Sequence, residues 1–119
     1  MAIVVGHLST PEGSEALGAA TAEARRRGSE LVLVTAAAQD AEAGLTALHE
    51  RLTAAGVEHR LVPGTGDLAD DLVRTATESG AELIVIGLRR RSPVGKLILG
   101  SGAQRILLDA PCPVLAVKP

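Results

Sequence analysis

The sequence predicts an α/β fold: a doubly wound, five-stranded parallel sheet in the order 3-2-1-4-5, with helices on both faces. Three observations carry this expectation. Short apolar runs at Ala2 to Val5, Leu31 to Ala36, Leu83 to Ile86 and Val114 to Val117 have the length and composition of buried parallel strands. Between the runs lie stretches with helical spacing of apolar residues and recognisable ends. The two kinds of segment alternate through all 119 residues, so the expected organisation is one domain over 1–119, joined by right-handed crossovers.

Each element has its own local reasons. After the first strand, His7, Leu8 and Ser9 form a turn, Thr10 is a suitable N-cap and Pro11 the first helical residue. The helix from Pro11 to Arg27 presents Leu17, Ala20 and Ala24 on one face. Arg25, Arg26 and Arg27 fall in its last turn and Gly28 follows, a solvated end that complements the helix dipole. Asp40 is the expected cap of a second helix, with Leu45, Leu48, Leu52 and Ala55 inward and Gly56 ending it. Val57 to Val62 carries Glu58, His59 and Arg60 and reads as an edge strand. Pro63 to Gly66 is expected to be a flexible turn. Asp67 then caps a third helix, with Leu68, Leu72, Val73 and Ala76 inward, which stops at Gly80. Ser101 opens the fourth helix, and with Gln104 it has the spacing of a capping box.

Composition removes several classes of function. The chain contains no aromatic residue, so its core is aliphatic and it lacks the base-stacking platforms of single-stranded nucleic-acid binders. A net charge of −2 argues against a general nucleic-acid surface. The single cysteine, Cys112, cannot form an intrachain disulfide and fits a reducing compartment. No apolar run reaches the length of a membrane span, and Met1 leads straight into a strand rather than a signal core. A cytoplasmic protein with no nucleic-acid or membrane partner is expected.

The stretch from Leu83 to Val117 carries the chemistry. It reads as a buried strand ending at Gly87, a basic loop with Arg89, Arg90, Arg91 and Lys96, and a helix opening at Gly100-Ser101. The first amides of such a helix point outward, and its dipole adds partial positive charge, which suits phosphate. In the order 3-2-1-4-5 the sheet reverses between its first and fourth strands, where ligands bind beyond the carboxyl ends. The loops after Gly6 and after Gly87 meet at that reversal, so topology and anion chemistry select one crevice.

The closing run GS…AQRILLDAPCPVLAVKP resembles the universal stress protein family, as do the opening VVG…STPEGSEAL and the stretch GDLADDLVRTATESGAELIVIG. The resemblance covers the whole chain. It implies a doubly wound domain that dimerises through its last strand and, in one branch, binds ATP. That branch is similar to G-x-x-G-(nine residues)-G-[ST]: Gly87 matches the first glycine, Gly100 the third and Ser101 the hydroxyl residue. The second glycine is replaced by Arg90, and the aspartate that often ends the first strand by Leu8. A glycine there admits the phosphates closely; an arginine instead supplies a guanidinium fork for phosphate oxygens.

The expectation is therefore a regulatory homodimer, paired through Val114 to Val117, that binds ATP, ADP or AMP. Phosphates would lie at Gly100, Ser101, Gly102 and Ala103 with Gly87, Arg89 and Arg90. The base would lie near Leu8, Ala36 and Ile86, and His7 and Ser9 would line the crevice. Any metal would be Mg2+ accompanying the nucleotide. The alternative is an interaction protein without nucleotide, in which the crevice is vestigial. Enzymatic activity is not expected beyond a slow ATPase, because the mouth holds no evident base or metal carboxylate, no G-x-S-x-G elbow and no Walker lysine. Asp67, Asp70 and Asp71 read as a cap and a first-turn charge cluster, and Cys112 as a small buried hydrophobe. His49 and His59 carry no assigned role, and the histidines and cysteine lack metal-ligand spacing.

Overall fold

Residues alternate sides along each central strand, and this period of two sorts the core into two halves. The computed structural model describes residues 1–7, 11–35, 42–88 and 100–118, without the side chains of residues 7, 11, 12 and 42–45. Its elements are β1 (Ala2–His7), α1 (Pro11–Arg27), β2 (Glu30–Thr35), α2 (Glu42–Ala54), β3 (His59–Pro63), α3 (Leu68–Ser79), β4 (Leu83–Gly87), α4 (Ser101–Asp109) and β5 (Val114–Val117). All strand pairs are parallel, in the order β3-β2-β1-β4-β5.

Ile3, Val5, Leu31, Leu33, Leu83 and Val85 face α1 and α2, where Ala16, Leu17, Ala20, Ala24, Leu48 and Leu52 cover them. Ala2, Val4, Val32, Val34, Ile84 and Ile86 face the other way, against Ala69, Leu72 and Ala76 of α3 and Ile106 of α4. The alanines of α1 let that helix sit close to the sheet. Buried on both faces, the three central strands are near-continuous aliphatic runs, and that is why they were legible in the sequence.

Several boundaries differ from the expectation. β1 continues to His7, β2 starts at Glu30, and the edge strand begins at His59 rather than Val57. Val57 is instead a buried core residue, its N–H bonded to Leu52 O at 3.0 Å as α2 ends. The proposed caps Thr10 and Asp40 lie outside the described residues. Asp67 does cap α3: its carboxylate accepts from Asp70 N–H, and Gly80 closes the helix in the left-handed region with φ 61°.

The turn after β3 is more constrained than a flexible Gly-rich linker. A Cβ on Gly64 would lie 2.1 Å from Thr35 O, so β2 passes against a residue that only glycine can be. Asp71, 1% exposed, turns inward and ties the turn to α3. Its carboxylate accepts from Thr65 N–H at 2.8 Å, from Thr65 Oγ1 at 2.8 Å and from Arg74 Nη2 at 2.7 Å. The expected first-turn charge cluster is thus divided: Asp67 and Asp70 face solvent, and Asp71 is a buried clamp.

Candidate functional site

The carboxyl ends of β1 and β4 lie side by side, with Val5 in register with Val85. His7 ends β1 and Gly87 ends β4, while α4 packs against α3, its Ile106 in the same core cluster as Ile84 and Ile86. Ile86 is 7% exposed and packs in the core on the α3 and α4 side of the sheet. Gly87 is half-buried and pairs with Val117; Leu88 N–H continues the ladder to Val117 O at 2.9 Å. Leu8, Ser9, Ala36, Arg89 and Arg90 lie outside the described residues, as does the side chain of His7.

The capping box at the start of α4 is not formed. Gly100 takes the N-cap position, extended at φ −72° and ψ 168°, and makes no side-chain cap bond. Its carbonyl accepts the first helical bond from Gln104 N–H at 3.0 Å, which shifts the cap one residue ahead of Ser101. Ser101 is therefore the first helical residue, and exposed. The amides of Ser101, Gly102 and Ala103 have no acceptor within the helix. No acidic residue occupies the first turn. Among the described residues, a Cβ on Gly102 would meet only Ala69 Cβ, at 3.9 Å. Chemically, this corner offers directed N–H donors and the positive end of a dipole to an anion.

One ion pair ties α4 to the start of α3. Arg105 Nη1 lies 3.2 Å from Asp67 Oδ2, joining the second turn of α4 to the cap of α3. Asp67 is held below the usual carboxylate range by the Asp70 N–H and by Arg105. For Asp71 burial alone would raise the pKa; the two Thr65 hydrogen bonds and Arg74 outweigh it and hold the carboxyl low. Sequence reasoning missed Asp71, although one signal was present: it sits one residue before Leu72 and four before the buried Thr75, on the inward side of α3. Cys112 is half-buried against the α3–α4 side of the core, and burial pushes its thiol up. Among the described residues, no group of three or more His, Cys, Asp or Glu side chains converges to hold a metal ion, and no helix is long and apolar enough to cross a membrane.

A five-stranded parallel sheet in the order β3-β2-β1-β4-β5, wound with helices on both faces, defines a class of small α/β proteins. Within that class the family is shown by comparison. The family model described as the universal stress protein family matches residues 35–118. A universal stress protein of Mycolicibacterium smegmatis is 42% identical over 98% of this chain and 97% of its own length. The chain belongs to the universal stress protein family. The structure of a universal stress protein from Archaeoglobus fulgidus superposes with TM-score 0.79 at 33% identity, over 99% of this chain and 98% of the other. Another, the universal stress protein from Archaeoglobus fulgidus in complex with dAMP, gives TM-score 0.71 at 27% identity, over 99% and 98%.

Proposed function

We propose that this chain is a small regulatory protein that binds an adenine nucleotide (ATP, ADP or AMP) in the crevice between β1 and β4. The observation that carries the reading is the start of α4: amides of Ser101, Gly102 and Ala103 without helical acceptors, an N-cap with no side-chain bond, and no acidic residue in the turn. The dAMP complex of a relative with the same fold supports it. Gly100–Ala103 and Gly87 would face the phosphates, and Arg89 and Arg90 would supply charge from the loop. The base would lie between aliphatic residues near Leu8 and Ala36, above Ile86, with His7 and Ser9 at the rim. Occupancy regulates a partner rather than driving chemistry; Mg2+ enters only with the nucleotide, and the compartment is the cytoplasm.

The second reading, an interaction protein with a vestigial crevice, is favoured by the sequence at Arg90 and Leu8. Isothermal titration with ATP, ADP and AMP separates the two. Binding by the native chain that Arg90→Ala abolishes supports the nucleotide reading, with the arginine as a phosphate clamp. No heat from the native chain, and binding that appears only in Arg90→Gly, supports the vestigial one.

The same proposal includes a homodimer paired through β5. Val114, Leu115 and Val117 are half-buried at the sheet edge. Just upstream on α4, Leu107 and Leu108 are 44% and 84% exposed. An aliphatic edge strand beside exposed leucines is stabilised by pairing with a copy.

A further inference from the structure

At the opposite end of the sheet from the crevice, α2 and the edge strand β3 bring two histidines together. His49 Nδ1 lies 2.7 Å from His59 Nε2, with ring centroids 4.7 Å apart and planes inclined at 60°. His59 Nδ1 lies 3.1 Å from Val57 O. A carbonyl only accepts, so His59 carries its proton on Nδ1 and presents the Nε2 lone pair to His49. The rings open into a cleft of about 240 Å³, walled by Leu48, Leu61 and Arg60. The Arg60 guanidinium is engaged elsewhere, its Nε 2.9 Å from Glu30 Oε1, which offsets its charge.

We propose that His49 and His59 form a two-histidine site for a borderline divalent transition-metal ion, Zn2+ or Cu2+, with water completing the coordination. Imidazole nitrogen is a preferred ligand for both ions. A histidine whose second nitrogen donates to a backbone carbonyl is already fixed in tautomer and orientation for binding through the first, and Val57 O does this for His59. Two nitrogens on a tetrahedral ion stand about 3.3 Å apart, given bonds of about 2.0–2.1 Å. To share one ion the nitrogens part by about 0.6 Å and the rings tilt until both lone pairs converge on it, a movement that the exposed His49 ring can make. To ligate, His49 moves its proton from Nδ1 to Nε2 through solvent, so a neutral pair binds the ion without net proton release. The proposal is independent of the nucleotide crevice.

The test is Cu2+ and Zn2+ titration of the full chain in a Cys112→Ser background, which removes the thiol as a competitor. The expected result is one ion per chain, a Cu2+ electron paramagnetic resonance signal with two-nitrogen coupling, and selective broadening of His49 and His59 ring protons over those of His7. His49→Gln and His59→Gln should each weaken binding about tenfold or more by removing one of two protein ligands. Urea midpoints establish that both variants are folded. Unchanged affinity in either folded variant, broadening centred on His7, or a ratio of one ion to two chains would overturn the site.

Discussion

At the scale of single residues, the turn between β3 and α3 concentrates the strongest constraints. Thr35 O occupies the space a side chain at Gly64 would need, so Gly64→Ala must push β2 and the turn apart. A loss of about 2–3 kcal/mol is expected, read from urea unfolding. Asp71 gives a pH-dependent counterpart. Its folded carboxyl is held below its unfolded value of about 3.9, so its contribution is complete above that pH and disappears as pH falls through the depressed folded value. Asp71→Asn should cost about 1–3 kcal/mol near neutrality, and its unfolding midpoint should converge with that of the native chain in strong acid. The constraint at Gly64 was not legible in the sequence, and Asp71 left only the signal of its spacing from Leu72 and Thr75. Gly64 looks like any turn glycine until β2 is laid beside it, and Asp71 shares the first turn with the solvated Asp70, just after the capping Asp67.

At the scale of elements, local chemistry announced most of what forms. The cap at Asp67, the closing glycine of α3 and the aliphatic runs of β1, β2 and β4 follow from residue types and spacing. Where two neighbours suit one role, tertiary geometry decides, and the cap of α4 went to Gly100 over Ser101 for that reason. The meeting of His49 with His59 depends on how α2 lies across β3, which no local pattern encodes. α4 has a further weakness. Ile106 is its one buried side chain, flanked by exposed Leu107 and Leu108. Ile106→Ala should cost about 2–4 kcal/mol, and amide exchange in α4 should accelerate ahead of exchange in β1 and β4.

At the scale of the whole molecule, the two edges of the sheet carry different chemistry. β3 has Arg60 and a histidine pair on its flank; β5 has only Val-Leu-Ala-Val. The topology was readable because alternating strands and helices leave few ways to wind a parallel sheet. The ligand and the oligomer were not, since both depend on surfaces outside the chain's own packing. Leu115→Lys places a charge in the strand proposed to pair between copies. Sedimentation should show monomers or insoluble protein, and a native dimer that persists in this variant would refute pairing through β5.

The wholly aliphatic core has an optical consequence. A protein with no tryptophan, tyrosine, phenylalanine or disulfide is almost transparent in the near ultraviolet. Any absorption band there in gently purified material would therefore belong to a passenger, and an adenine retained from the cell would announce itself in the spectrum before any titration was begun.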